Sequence, residues 1–356
     1  MNNQVTLIKS PRNSSIELMR LLCMLFIVIY HFIIKTNMDW LSDAALSTFV
    51  LPLHIAVICF ILITGYYGTT LNLKKMTSLI IQTIFYCVLS YVIVSICCDT
   101  FSYKGLLNSF RFLTRNPDIW FIRTYILFLL CVPVINQWIN TPPQSHIIEI
   151  KKIKMNHLVF TIIILSFISI YVGLMGDDPT LKGGKNIIHF TLIYCMGRYI
   201  RLSKVKDLIS LKTLLWSYLC VNVIICILNY SLFGSVLQQI MFKLSFFYNS
   251  PFLILNAIIL FLIFIKMKIH SKVISLIAKC TFSIYLIHSN IYIGNIIWNL
   301  SYPHTGISSC VILGLMMFTL CIFIDLILNR VYGSIADILY CKINTISNVK
   351  RIYFKQ

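Results

Sequence analysis

The chain has 356 residues, 58% of them hydrophobic and 12% charged, and a mean hydropathy of +0.85, which excludes a soluble globular domain and places it in the membrane class. A formal net charge of +19 would direct a soluble protein toward nucleic acid. In so apolar a chain, basic residues instead gather in cytoplasmic loops beside anionic lipid heads, so the expected partners include membrane lipids and no nucleic acid. The thirteen cysteines are scattered singly apart from Cys97 and Cys98; they lack the paired spacing of a zinc site and read as small buried hydrophobes, so no metal is expected.

A helix crosses a bilayer with roughly 20 apolar residues. In chain order, the apolar runs predict helices over residues 16–35, 48–68, 76–98, 119–140, 157–175, 186–200, 211–233, 251–268, 273–298 and 307–329,. The expected fold is an all-α integral membrane protein, a single bundle of about ten transmembrane helices. It occupies residues 16–333, between an N-terminal segment, 1–15, and a basic tail, 334–356. No small-residue cleavage site follows the first run, which therefore reads as a retained helix. The sixth run is short and holds His189 and Arg198, a pattern that suits a tilted or re-entrant segment. With the length consumed by spans and short loops, any chemistry must be done by the bundle itself.

An even number of spans puts both termini on one side. On that side the connecting segments hold 19 lysines and arginines, against seven on the other: Lys35, Lys104, Arg111, Arg115, Lys182, Lys185 and Lys243. The positive-inside rule then makes both termini cytoplasmic. The segment from Asp99 to Asp118 is unusually basic for an outer one. Its Lys104, Arg111 and Arg115 read either as an attractor for an anionic glycan or lipid-linked phosphate, or as a solvated loop with a charge excess.

Ionisable groups inside a bilayer are expensive and mark function. In the first helix Glu17, Arg20, Met24, Ile27 and His31 share one face,, with Arg20 and His31 separated by roughly 16 Å along the axis. The His31 imidazole can accept a proton at neutral pH and is a candidate general base. The Arg20 guanidinium suits a phosphate or carboxylate. The competing readings are an ion pair of Arg20 with Glu17 and a purely structural hydrogen bond from His31. His54, Arg123, His189 and His288 lie, like His31, toward the outer ends of their runs, which favours a polar site there. Trp120 reads as a sugar platform or as part of an interfacial aromatic belt.

Four segments together resemble the acyltransferase family 3 membrane proteins, O-acyltransferases of surface polysaccharides. The first is the run from Ser15 to His31, with ten residues between Arg20 and His31. The second has Phe60 followed by Thr64, Gly65 and Tyr66, with Lys74 and Lys75 beyond it where the family often carries arginines. The third runs from Trp120 through Phe121 and Tyr125 to Pro133, and the fourth holds Ser283, Tyr285 and His288. The resemblance implies an acyl donor from the cytoplasm, acetyl-CoA or another acyl-coenzyme A as co-substrate with no bound cofactor, and a glycan or lipid-linked glycan acceptor outside. It makes His31 the essential imidazole and Arg20 its motif partner. Lys74 and Lys75 are expected to help hold the donor phosphates; Trp120, Arg123 and His288 are acceptor-binding or structural. Arg123 stands where many members carry an acid, a departure that counts against an acid-dependent mechanism. Some members add an extracytoplasmic hydrolase-like domain; none follows in this sequence, so acceptor recognition is expected from the bundle and its loops. The expected activity is transfer of an acetyl or other short acyl group to a hydroxyl of capsule, lipopolysaccharide or exopolysaccharide in the bacterial inner membrane. A polytopic glycan exporter or polymerase is the alternative, with a small-molecule transporter a weaker third.

Overall fold

The computed structural model describes residues 13–37, 39–115, 117–140, 147–150, 153–176, 178–300 and 306–353. Lys9, Arg12, Lys151, Lys152 and Lys355, and the side chains of Arg115, Lys154, Lys350 and Arg351, all used in the charge count, lie outside that description. With helices of four residues or fewer and the π-helical segment Phe167–Val172 left unnumbered, the elements are α1 (Ser14–Thr36), α2 (Ala44–Val50), α3 (Ala56–Tyr67), α4 (Leu73–Cys97), α5 (Tyr103–Phe110), α6 (Trp120–Asn140), β1 (Ile147–Ile150), β2 (Ile153–Asn156), α7 (His157–Ser166), α8 (Ile187–Leu202), α9 (Leu211–Ser231), α10 (Gln238–Phe246), α11 (Pro251–Lys266), α12 (Lys272–Ile277), α13 (Thr281–His288), α14 (Ile291–Leu300) and α15 (Ile307–Tyr353). The architecture is helical apart from one antiparallel hairpin, β1 with β2, in a segment where only a basic loop was expected. α15 runs unbroken past residue 333, so no change of secondary structure marks the start of the tail.

Among the described residues eight helical stretches are long and apolar enough to cross a membrane. They correspond to eight of the ten predicted runs; the other two differ in form. α8 has 16 residues, about 24 Å of rise against a hydrocarbon thickness of about 30 Å. It survives because other helices bury it: Phe190, Leu192, Ile193 and Tyr194 are all fully enclosed. The 273–298 run is broken into α12, a single 3₁₀ turn, α13 and α14. The break after α13 falls at Ser289 and Asn290, where Asn290 caps α14 by accepting from the Tyr292 N–H at 3.0 Å. By contrast α9 turns Leu215, Trp216, Leu219, Ile224 and Ile227 outward, an apolar exposure that only lipid can cover.

Side-chain contacts show which ends of the helices meet. Asn13 caps α1 by accepting from the Ser15 N–H at 2.9 Å, and the Ser15 hydroxyl donates to the Met267 carbonyl at 2.7 Å. That joins the beginning of α1 to the end of α11. At the same end Arg201, in the last turn of α8, donates to the Tyr66 hydroxyl at 3.2 Å, and Lys74 pairs with Asp337 of α15 at 2.8 Å. At the opposite end Lys35 pairs with Asp118 at 3.3 Å. Ser14 and Asp337 therefore lie at one end of the bundle, termed here the near end.

Two contacts fix the helices that carry the site. α3 and α8 touch backbone to backbone through paired glycines: a Cβ on Gly65 would stand 2.3 Å from the Tyr194 carbonyl oxygen, and one on Gly197 would stand 2.5 Å from that of Leu62. Small residues at a crossing let membrane helices approach this closely. α13 is anchored by Asp325, 2% exposed, which accepts from Tyr86 at 2.7 Å, from Tyr332 at 2.9 Å and from Ser283 of α13. A carboxyl in an apolar bundle is tolerable only when hydrogen-bonded in this way.

Candidate active site

His31 and His288 meet at the far end of the bundle. α1 presents His31 one turn and a half before its C-terminus, and α13 ends on His288, so the broken helix delivers its last residue to the imidazole of the first. The His31 Nδ1 to His288 Nε2 distance is 3.1 Å. Ser289, at the break, places its hydroxyl 3.0 Å from His288 Nε2 and 3.3 Å from His31 Nδ1. His288 is fully enclosed, whereas His31 is half-buried.

Hydrogen bonding assigns the tautomers. His288 Nδ1 lies 2.6 Å from the Ile284 carbonyl, an acceptor only, so Nδ1 carries the proton and neutral His288 offers Nε2 as an acceptor. Two bare lone pairs cannot face each other at hydrogen-bond distance, so His31 donates from Nδ1 toward His288 and Ser289. That leaves His31 Nε2 unprotonated, a base held in orientation by a second imidazole, the arrangement that activates nucleophiles in acyl transfer.

Beside this pair runs a row of rings. Tyr30 lies 5.0 Å from His54 between centroids, and His54 stacks on Tyr248 at 4.5 Å. Tyr248 in turn lies 5.5 Å from Trp120, and the Lys185 ammonium sits 5.2 Å over the Trp120 ring. Lys185, His54 and Lys35 all stand within electrostatic reach of His31. Lys185 is held in the loop before α8, where desolvation of its ammonium lowers its pKa from the usual lysine value. His54 Nε2 is buried and has no hydrogen-bond partner among the described residues. A cavity of about 350 Å³ opens beyond the end of α1, with Asn37, Asp39 and Gly306 on its wall.

The near end holds the other half of the predicted constellation. Arg20 pairs with Glu17 at 3.1 Å, the ion-pair alternative raised by the sequence. It is joined there by two arginines that the sequence reading had not assigned to a site. Arg198 donates to Asn140 at 3.3 Å, its guanidinium resting against Gly68, and its Nε is buried with no partner among the described residues. Arg201 bonds the Tyr66 hydroxyl and lies 5.1 Å over that ring. Neither makes an ion pair among the described residues. Their i, i+3 spacing, at the end of the sixth run and just past it, was the available signal, masked by the ordinary occurrence of basic residues at helix C-termini.

The remaining predicted residues separate. Lys74 and Lys75 are exposed at the near end, Lys74 engaged with Asp337. Arg123 is exposed on α6, three residues on from Trp120. His189 joins neither cluster: it meets the Ser169 hydroxyl at 3.0 Å, both enclosed in the core. Lys104 and Arg111 line a separate cavity of about 430 Å³ along α5. Among the described residues no group of three His, Cys, Asp or Glu side chains is placed to hold a metal ion.

A family model described as an acyltransferase domain matches residues 13–326, a span that contains every residue of both clusters. Comparison with curated proteins and with solved structures returned no significant match.

Proposed function

Since the chain belongs to acyltransferase family 3, we propose that it moves a short acyl group, acetyl first, from acyl-coenzyme A at the near end to a hydroxyl of a surface glycan at the far end. The observation that carries this reading is the His31–His288 pair, whose hydrogen bonds leave His31 Nε2 free to act as a base. In the proposed step the glycan hydroxyl loses its proton to His31 Nε2 as its oxygen attacks the thioester carbonyl carbon. The carbon–sulfur bond breaks and the thiolate leaves, to be protonated as the free thiol. His288 accepts from the Nδ1–H of the resulting imidazolium and stabilises it. The donor phosphates are assigned to Arg20, Arg198 and Arg201, whose planar forks match phosphate oxygens; Lys74 and Lys75 extend the same basic end into solvent. The roughly 16 Å between Arg20 and His31 along α1 suits the extended pantetheine arm that separates the phosphates from the thioester. By the charge count, the near end faces the cytoplasm of a bacterial inner membrane, and both termini lie there.

Mass analysis of surface glycans tests the reading in cells that carry the chain, lack it, or carry His31→Asn. Asn is close in size to His but cannot act as a base at neutral pH. Loss of O-acyl groups with unchanged polymer length is expected both without the chain and in the Asn variant, the variant's transfer rate falling by about 10² to 10⁴ at normal membrane expression. Loss of polymer itself would favour an exporter or polymerase.

A further inference from the structure

The loop that precedes α8 is built to place one cation on one ring. Gly183 and Gly184 both adopt left-handed backbone, with φ of 75° and 72°. A Cβ on Gly184 would stand 2.7 Å from the Asn249 nitrogen, so only glycine lets the loop lie on the Tyr248–Asn249 backbone. The Tyr248 N–H donates to the Gly183 carbonyl at 3.1 Å and pins it there. The next residue, Lys185, rests over the Trp120 ring at 5.2 Å. Lys35, also at the far end, is neutralised by Asp118, but Lys185 makes no ion pair among the described residues.

This geometry bears on what the row of rings accepts. A sugar that stacks on the face of Trp120 under Lys185 must first displace the ammonium. A neutral sugar loses the cation–π contact and offers no charge in return. An acceptor with an anionic substituent replaces that contact with a charge-assisted hydrogen bond, the stronger of the two for an ammonium. We propose that Lys185 is a specificity-determining residue that selects glycan acceptors carrying a carboxylate or phosphate close to the hydroxyl to be acylated. The inference rests on the acceptor assignment made under Proposed function, and goes beyond it in naming the chemical class of acceptor.

The test measures binding alone, so it is independent of transfer. The full chain in detergent micelles is titrated, without donor, with an oligogalacturonate, a glycerol phosphate oligomer and a neutral malto-oligosaccharide, and affinity is read by thermophoresis. Tighter binding of at least one charged probe than of the neutral one, by about tenfold (about 1.4 kcal/mol), is expected. The galacturonate and glycerol phosphate arms tell a carboxylate reader from a phosphate reader. Lys185→Gln abolishes the preference and Lys185→Arg retains it. Equal affinity for charged and neutral probes, no measurable binding of either charged probe, or a preference that persists in Lys185→Gln overturns the proposal. The His31→Asn glycan analysis reports separately on acyl transfer, so a failure of the one is not mistaken for a failure of the other.

Discussion

At the scale of single residues, the near-end arginines and the exposed lysines make different claims on the donor. Arg198 and Arg201 are held by Asn140 and Tyr66 with no carboxylate partner among the described residues, whereas Lys74 already has one in Asp337. Replacing both arginines by Gln is expected to weaken binding of coenzyme A to the purified chain by tenfold or more, since a charge-assisted hydrogen bond to an ion is worth about 1.5–3 kcal/mol. Replacing Lys74 and Lys75 by Ala, in a calorimetric titration of the same kind, is expected to change affinity less, because an exposed ammonium gains little from a charge in water. The reverse order would return the donor role to the lysines. Arg20 and His31 were legible as one face of a periodic helix. Arg198 and Arg201 were not, because a basic residue near a helix C-terminus has an ordinary electrostatic reason to be there.

At the scale of elements, the decisive contact is α3 against α8. Gly65→Ala drives a methyl into the Tyr194 carbonyl, and Gly197→Ala drives one into the Leu62 carbonyl. Neither obstacle is the movable end of a side chain. Each substitution is expected to lower stability by about 1–3 kcal/mol, the range for overpacking, measured as thermal unfolding in detergent. Gly333→Ala is the control: its Cβ would meet nothing within 4 Å inside α15, and Ala is the better helix former by about 1 kcal/mol. Unchanged unfolding temperatures for Gly65→Ala and Gly197→Ala would mean that the two helices do not pack through these glycines. The same contact explains why α8 was the hardest run to read. Its length fits no ordinary span, and its burial comes from neighbours that hydropathy does not name.

At the scale of the whole molecule, Ser14 and Asp337 lie at one end, marked by contacts of α1 with the end of α11, α3 with α8, and α4 with α15. The basic residues of the connecting segments concentrate there, and in the proposed orientation that end faces the cytoplasm. A reporter that is active only outside the cytoplasm is expected to work when inserted between Asp178 and Lys185 and to be silent after Gln356, while a cytoplasmic reporter shows the opposite pattern. Activity of the outside reporter at the C-terminus would mean an odd number of crossings.

Composition and hydropathy alone determined that this is a membrane protein, and the 3.6-residue period of the first run determined that Arg20 and His31 share a face. Both signals are local, carried by residues within a turn or within one span of each other, so they can be read along the chain. What only the tertiary structure decided was which spans are neighbours. His31 and His288 are 257 residues apart in sequence, and nothing in either segment specifies that α1 and α13 end side by side. That meeting depends on the break at Ser289, on Asp325 anchoring α13, and on glycines that let α3 and α8 close up around the core. The same holds for Lys185 over Trp120, where the pairing of two distant segments turns a loop lysine and an interfacial tryptophan into one surface. Side-chain encounters of this kind are set by packing, whose partners lie far away along the chain, and packing is what a one-dimensional pattern does not contain.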